Sequence, residues 1–531
     1  MLSRGGQLRR KLDFARAGAY TVPAFAVAGL AGDPNIVHIS VDHKLKAKLD
    51  YTSAAANASV SWLSRWSGSG VGVAVIDSGI YASRDFGNRV VYAQDFTATG
   101  TTNDLYGHGT HVAGIIAGDG ANSHCGECTR NLSGMAPNAN LINLRVLDQK
   151  GESSDSTVIA AISEAIKLKA TYNIRVINLS LGRGIFESYK QDPLCQAVEA
   201  AWKAGIVVVV AAGNDGRDNS VGEEGYGTIN APGNDPYVIT VGAMKTMATY
   251  PRTDDLIGSY SSKGPTLFDN VVKPDLVAPG NLVVSVQAPG STLVSEHRSN
   301  LVPQSHYMSN GDQSPSSTYF TLSGTSMAAA AVSGAVADLL SSQWNLTPDE
   351  VKARLMMTAY KTFPQSSLAA DPTTGLTYTS YYDIFTVGAG YLDLGAAVSI
   401  PYQPWGTALS PTATFNSSAH TIFLNFDPSS VWSTLSIWGV SGIWGTSGIW
   451  GTTGIASSSG IWGTSGIWGT SGIWGTSGIW GTSGIWGTSG IWGTSGIWGT
   501  SGIWGTGSDA AASGVWGTAT SQNDVAAKGE N

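Results

Sequence analysis

The chain has 531 residues, of which 42% are hydrophobic and 13% are charged, and its formal net charge is −8. This hydrophobic content is enough for a large buried core and excludes a chain that is disordered throughout. The negative charge argues against sequence-independent binding to nucleic acid or to an anionic membrane. No apolar run reaches the ~18 residues that span a bilayer, and three cysteines cannot form a disulfide scaffold at this length.

Composition divides the chain into four regions. An N-terminal segment (1–50) is basic and then apolar, and a globular region (51–400) follows it. A linker rich in Pro, Ser and Thr (401–430) leads into a repetitive tail (431–531). The basic start and apolar stretch resemble a secretory signal only weakly, because Pro23 interrupts the stretch. We therefore predict no complete signal peptide in this chain.

In the globular region, apolar runs of strand length alternate with amphipathic helical patterns. Strands that are apolar on both faces and are joined by helices are typical of a parallel sheet covered on both sides. The sequence therefore predicts an α/β fold. The predicted strands are 71–76, 141–147, 175–181, 206–212 and 237–243, and the predicted helices are 109–118, 153–169 and 192–204.

Three polar residues lie at the ends of predicted elements, where α/β proteins place reactive groups. Asp77 ends the apolar run VAVID. His108 lies in GHGTHVAG, where the glycines allow a tight turn into a helix. Ser326 lies in SGTSMAAA, directly before an alanine-rich helix. The amino end of that helix offers unpaired N–H groups and a positive dipole end to developing negative charge.

Together these residues supply a nucleophile, a base and an orienting acid. The imidazole of His108 can accept the Ser326 proton near neutral pH, and Asp77 would hold the ring in the useful tautomer. Asn214 follows a buried strand in AAGND and could donate, with the Ser326 N–H, to a tetrahedral oxyanion. A lone Asp or His at such a position is usually structural, so the prediction depends on the ordered combination.

The chain order Asp77, His108, Ser326 resembles that of the subtilisin-like serine peptidases and differs from that of chymotrypsin-like enzymes and α/β-hydrolases. The resemblance covers about residues 51–400. It implies a three-layer fold with a mostly parallel sheet between helices, an oxyanion role for Asn214, and a serine endopeptidase that cleaves proteins or peptides through an acyl-enzyme. Further matching segments are VINLSLG (176–182), SYSSKGP (259–265) and KPDLVAPG (273–280).

The resemblance also implies where a substrate binds. The segment that matches the family's primary specificity pocket is TINAPGNDPY (228–237), with Asn230 near the floor of the pocket. Residues 180–182 would form an edge strand that pairs with the substrate backbone, a β-augmentation mode. The implied substrate-binding residues are Ser180, Leu181, Gly182, Ala212 and Gly213.

Maturation and metal binding follow from the same resemblance. Residues 22–43 resemble the end of an inhibitory propeptide, so we expect 1–50 to be an incomplete propeptide-like segment that is cleaved between about residues 43 and 55. An ordinary N-terminal extension is the alternative. We expect no required cofactor, and structural calcium is left open because no D-x-[DN]-x-[DN]-G loop is present. Family membership would imply an extracellular, secreted enzyme.

The cysteines and a second histidine have structural interpretations. Cys125 and Cys128 form a lone CGEC segment, for which a small loop disulfide and two free thiols both remain open. Cys195 lies on the apolar face of a predicted helix and is expected to be a buried thiol. His108 and His111 could suggest a zinc pair, but no neighbouring Glu or obvious third ligand is present. We expect His111 to pack its helix against the sheet.

The tail consists of SGIWGT repeats, with tryptophan at every sixth position from Trp432 to Trp516 except at Ala456 and Ala510. In an extended chain this even period places Trp on one face and Ile on the other. We favour β-stacking or association of the repeats, because the tryptophans carry a large apolar surface. The alternatives are a flexible glycine-rich tether and a surface that binds cell-wall polymer or other copies.

Two classes of function are consistent with this sequence. The first is a secreted serine endopeptidase. The second is a surface or matrix protein in which the repeat is the working part and the peptidase fold is inactive. The intact Asp, His, Ser and Asn set favours the enzyme, because a decayed site would be expected to lose at least one member.

Overall fold

The computed structural model divides into two compact units, Met1–Ala47 and Lys48–Asn531. The SGIWGT tail lies almost entirely outside the described residues, so the expectations about its structure stay predictions. The described residues are 7–12, 17–31, 33, 36, 47–48, 51–58, 61, 66–218, 225–371, 374–401, 404, 406–416, 421–427, 429–431, 455–456 and 529–530.

The first unit contains two antiparallel strands and one helix. These are β1 (Gln7–Leu12), β2 (Ala17–Thr21) and α1 (Ala24–Ala31). The predicted propeptide-like role of residues 1–50 is not decided by this architecture and stays a prediction.

The other elements belong to a larger mixed fold. The remaining strands are β3 (Ala47–Lys48), β4 (Gly72–Asp77), β5 (Val90–Asp95), β6 (Arg130–Asn131), β7 (Asn140–Arg145), β8 (Ile174–Leu179), β9 (Val207–Ala211), β10 (Ile239–Lys245), β11 (Leu256–Ile257), β12 (Leu276–Pro279), β13 (Val283–Val286), β14 (Leu301–Pro303), β15 (Pro315–Leu322), β16 (Ser366–Ala370), β17 (Thr377–Tyr381), β18 (Thr412–Asn416), β19 (Thr421–Asn425) and β20 (Ile455–Ala456). The remaining helices are α2 (Thr52–Ala55), α3 (His108–Ala117), α4 (Asp155–Tyr172), α5 (Pro193–Lys203), α6 (Thr292–Glu296), α7 (Thr325–Ser342), α8 (Pro348–Thr358), α9 (Ile384–Val387) and α10 (Leu394–Ser399).

The central sheet has the strand order β11-β10-β9-β8-β4-β7-β5, and β12 pairs with β10 beside this path. All of its pairs are parallel except β10–β11, which is antiparallel. Every residue of β4 and β9 is buried, as expected for strands that are apolar on both faces. A smaller antiparallel sheet has the order β13-β15-β14.

Helices cover both faces of the central sheet. On one face α3 and α7 contact each other, and α4 and α5 contact each other on the other face. In α7 every residue from Thr325 to Leu340 is buried. Its many alanines allow close approach to β8, β9 and β10, because their short side chains leave little distance between helix and sheet. The predicted α/β fold with a mostly parallel sheet between helices is confirmed.

The observed boundaries lie within three residues of the predicted ones. The largest difference is at the end of α4, which continues to Tyr172 because Asn173 adopts the left-handed conformation (φ 47°) that ends it. No helix in the described part of the chain is long and apolar enough to cross a bilayer.

Candidate active site

One edge of the central sheet brings the predicted catalytic segments together. Strands β4, β8 and β9 are parallel neighbours, so the residues that follow them emerge at the same carboxyl edge. Asp77 is the last residue of β4, Ser180 follows β8, and Asn214 lies three residues after the end of β9. Segments that are far apart in sequence therefore meet at one place.

Asp77 and His108 form a buried pair. The Nδ1 atom of His108 lies 2.8 Å from Asp77 Oδ1 and 3.0 Å from Oδ2. The Ser78 N–H donates to Asp77 Oδ1 at 2.7 Å, which fixes the carboxylate. His108 is the first residue of α3, and Gly107 before it has a φ of 106°, a conformation that favours glycine. These contacts fix the orientation of the His108 ring relative to the carboxylate.

The turn into α3 depends on close approach of the backbone to Asp77. A Cβ at Gly109 would lie 2.3 Å from the Gly79 carbonyl oxygen and 3.1 Å from Asp77 Oδ1. This contact explains the second glycine of GHGTH, since any larger residue would displace the carboxylate or the helix.

A second buried carboxylate, Asp104, holds the start of α3. It accepts hydrogen bonds from the N–H groups of Gly107 (2.6 Å) and Thr110 (2.8 Å). It also accepts one from the Ser78 hydroxyl (2.8 Å), and that hydroxyl accepts from the Gly109 N–H (2.9 Å). Burial raises the pKa of Asp104 despite these bonds. Sequence reasoning missed Asp104, although an Asp just before a helix is a capping signal.

Ser326 is the second residue of α7 and is buried. Its Oγ donates to the Ser180 carbonyl oxygen at 3.1 Å, and the Ser180 hydroxyl donates to the Ser326 carbonyl oxygen at 2.9 Å. These reciprocal bonds fix the first turn of α7 on the segment that follows β8. The preceding Gly324 has a φ of 145°.

The Asn214 side chain is attached to the same helix end. Its Oδ1 accepts from the Thr325 N–H (2.9 Å) and from the Thr325 hydroxyl (3.1 Å). These bonds fix the orientation of the amide. Its Nδ2, the donor end, is the atom that could donate to a bound substrate. A Cβ at Gly324 would lie 3.3 Å from that Nδ2, so glycine keeps the space in front of it open.

Two of the predicted substrate-binding residues, Gly182 and Gly213, pack closely against Asn230. A Cβ at Gly182 would lie 3.1 Å from Asn230 Cβ, and a Cβ at Gly213 would lie 2.8 Å from Asn230 Nδ2. The Asn230 N–H donates to the Ala212 carbonyl oxygen at 3.0 Å. Asn230 Nδ2 donates to Asp215 Oδ2 at 3.1 Å, and burial raises the pKa of Asp215 to about 6.

Asp215 was missed by sequence reasoning, although it is the last residue of AAGND. Ser180 and Leu181 are buried, and residues 180–182 follow the end of β8 outside any strand. Their proposed pairing with a substrate backbone stays a prediction.

The structure assigns a packing role to His111. Its Nε2 lies 3.0 Å from the carbonyl oxygens of Val283 and Phe320. Burial lowers the pKa of His111 to about 3, so the ring is neutral. The expected packing against the sheet is correct only in part, because the contacts are made with β13 and β15 of the smaller antiparallel sheet rather than with the central sheet.

The structure also shows the state of each cysteine. Cys125 and Cys128 form a disulfide, and Cys195 is a buried free thiol whose pKa is raised by burial. Among the residues that the structure describes, no group of three or more His, Cys, Asp or Glu side chains is placed to hold a metal ion.

Comparison with known proteins agrees with this geometry. The chain is 38% identical over 333 residues to the serine protease AprX of Bacillus subtilis (60% of this chain, 69% of that protein). It is 33% identical over 360 residues to subtilisin E of the same species (67% and 78%). It is 30% identical over 357 residues to the extracellular serine proteinase of a Thermus species (64% and 70%). Residues 68–380 match the Subtilase family. The chain therefore belongs to the subtilase family and is a serine endopeptidase of the subtilisin type.

Proposed function

We propose that Ser326 is the nucleophile, His108 the general base and acid, Asp77 the residue that orients His108, and Asn214 the oxyanion donor. The observation that carries this proposal is the buried contact of 2.8 Å between His108 Nδ1 and Asp77 Oδ1, at the sheet edge where α7 presents Ser326. The conclusion is hydrolysis of peptide bonds in proteins through an acyl-enzyme.

The proposed reaction begins with transfer of the Ser326 proton. The Oγ–H, which donates to the Ser180 carbonyl in the structure, passes its proton to His108 Nε2 as Oγ attacks the substrate carbonyl carbon. Asp77 stabilises the resulting imidazolium. Asn214 Nδ2 and the positive end of α7 stabilise the oxyanion.

Collapse of the tetrahedral intermediate breaks the peptide C–N bond, and His108 returns the proton to the leaving amine. Water then attacks the acyl-enzyme, with His108 again acting as base, and releases the acid and the Ser326 hydroxyl. These side chains complete the cycle without drawing on a cofactor. Whether calcium stabilises the fold stays an open expectation.

Substrate binding is proposed at Ser180–Gly182 and beside Asn230. The segment after β8 would offer backbone groups to an extended peptide. Gly182 and Gly213 allow Asn230 to approach the backbone closely, and we propose that Asn230 and its partner Asp215 lie beside the side chain that precedes the cleaved bond.

An extracellular location is proposed for the enzyme. The Cys125–Cys128 disulfide supports it, because disulfides persist in oxidising compartments.

Maturation by cleavage between about residues 43 and 55 is also proposed. Sequencing the N-terminus of active enzyme tests this step, and fully active protein that retains Met1 would contradict it.

For the tail we propose β-stacking, association or surface binding. Circular dichroism of residues 428–531 tests the first of these, and a random-coil spectrum would oppose β-stacking.

Labelling by a fluorophosphonate probe tests the catalytic proposal against the alternative of an inactive surface protein. The wild type should be labelled at Ser326 and should release peptides from a denatured protein. Ser326→Ala should lose both properties, and Ser342→Ala, at the other end of α7, should keep both. Labelling of folded Ser326→Ala, or none in the wild type, would overturn the assignment. Asp77→Asn should lower kcat by about 10⁴ because the wrong tautomer is favoured.

A further inference from the structure

Glu530, next to the last residue of the chain, is held in a polar pocket of the peptidase fold. Its Oε1 lies 2.8 Å from Lys245 Nζ, at the end of β10. Its Oε2 accepts from the N–H and the hydroxyl of Ser259, both at 2.8 Å, and lies 3.3 Å from Arg217 Nη2. The side chains of Glu530 and Lys245 are 1% and 4% exposed.

The pocket also binds the backbone of this segment. The Asn281 side chain accepts from the Glu530 N–H (2.9 Å) and donates to the Glu530 carbonyl oxygen (2.7 Å). Gly529 has a φ of 65°, and a Cβ there would lie 2.4 Å from Leu282 and 2.7 Å from the Ser323 hydroxyl. The pocket therefore matches glycine followed by glutamate, and every polar atom of the glutamate has at least one partner.

The charges of this pocket are complementary to a carboxylate. Arg217 is also held from its other side by Asp371 (3.4 Å) and lies over the ring of Tyr378, so its position does not depend on Glu530 alone. A buried ammonium such as that of Lys245 is costly unless it is paired, which makes an anionic occupant favourable.

We propose that Lys245, Arg217, Ser259 and Asn281 form a carboxylate-binding site that captures the C-terminal Gly529–Glu530 segment of this chain. At the other end of the tail, Val431 is buried in the core of the peptidase unit. The SGIWGT tail therefore has both of its ends attached to the peptidase unit. This proposal does not depend on the catalytic assignments.

The pocket adjoins the segments that carry the proposed active site without belonging to it. Arg217 lies three residues after Asn214. Asn281 follows Gly280, whose carbonyl oxygen accepts from the Gly324 N–H at 2.7 Å, just before α7. The Ser259 N–H donates directly to Glu530 Oε2. We therefore expect release of Glu530 to expose the Ser259 amide to solvent before the amides of these neighbouring segments.

Hydrogen exchange measured by mass spectrometry on the full-length chain tests the proposal, with Ser326→Ala as background to prevent self-cleavage. Glu530→Ala should accelerate exchange at the Ser259 amide by at least about tenfold, the scale of one hydrogen bond to a charged group. Exchange in β4 and β9 should stay unchanged, which shows that the fold is intact. Asp524→Asn, which removes the same charge from the tail, should leave Ser259 protected. Equal protection of Ser259 in Glu530→Ala and in the parent chain would overturn the proposal.

A pair of substitutions at Glu530 provides a second test if Glu530→Ala disturbs folding. Glu530→Gln keeps an amide oxygen that can accept from the Ser259 N–H, so Ser259 should stay better protected in Glu530→Gln than in Glu530→Lys, which has no acceptor. Equal protection of Ser259 in these two variants would contradict a direct contact. A fluorescent peptide of residues 524–531 should bind the Glu530→Ala chain at least about tenfold more tightly than the parent, whose pocket is occupied. Equal binding to both chains would also overturn the proposal.

Discussion

The proposed substrate-binding region around Asn230 should select substrates in a manner that depends on pH. Asn230 donates to Asp215 there, and burial raises the pKa of Asp215 to about 6. Below that pH the Asp215 carboxyl group is mostly neutral, and above it the group carries a negative charge. As the pH rises, kcat/KM for a substrate with lysine before the cleaved bond should therefore increase relative to kcat/KM for a substrate with leucine there.

The size of the effect follows from the fraction of Asp215 that is ionised. With a pKa of about 6, about one tenth of the carboxyl groups are ionised at pH 5 and nearly all at pH 8. If the lysine substrate requires the ionised form, its kcat/KM relative to that of the leucine substrate should rise about tenfold over this interval. Any effect of pH that is common to both substrates cancels in the ratio.

The assay uses two peptides that differ only at the residue before the cleaved bond, with kcat/KM measured from pH 5 to pH 8. Asp215→Asn is the matched control, because it keeps the size of the side chain and removes the charge. Its ratio should be independent of pH and should favour leucine throughout. A flat ratio in the wild type, or an equal slope in Asp215→Asn, would refute the placement of Asp215 beside the substrate side chain.

Four further predictions concern the site and the fold that supports it. Asn214→Ala should lower kcat by about 10²–10³ with little change in KM in steady-state assays, a magnitude known from a subtilisin rather than worked out from this structure; an unchanged kcat would remove the oxyanion role. Gly109→Ala should lower kcat by about 10²-fold, because the new Cβ would lie 3.1 Å from Asp77 Oδ1 and displace the carboxylate. A displacement of a catalytic group by about 1 Å has an effect of this size. Full activity would show that the turn can adapt. Asp275→Asn should lower the free energy of unfolding in urea by about 3–5 kcal/mol, measured on an inactive variant, because the buried Asp275 pairs with the buried Lys273 at 2.7 Å. Burial lowers the pKa of Lys352 to about 7, from 10.5 for an ordinary lysine. The unfolded chain therefore binds a proton there that the folded chain lacks, so stability should rise between those pH values, and Lys352→Met should abolish that rise.

The central fold and the proposed catalytic residues were predictable because their signals are local. The strand β9 consists of five consecutive apolar residues, and α7 is an alanine-rich segment that follows a glycine turn. Asp77, His108 and Ser326 each lie within a motif whose glycines or apolar neighbours indicate a strand end or a helix start. The disulfide between Cys125 and Cys128 was left open, because a spacing of three residues permits both states of the thiols.

The sequence by itself therefore determined the α/β class, the core strands and the residues of the proposed triad. The tertiary structure alone decided which polar groups surround them. The Asp104 side chain accepts hydrogen bonds from the start of α3, Asp215 accepts one from Asn230, and Glu530 pairs with Lys245 across 285 positions of sequence. The reason is physical: secondary structure and turns follow from neighbouring residues, whereas a buried charge acquires its partner only when the chain topology brings distant segments together.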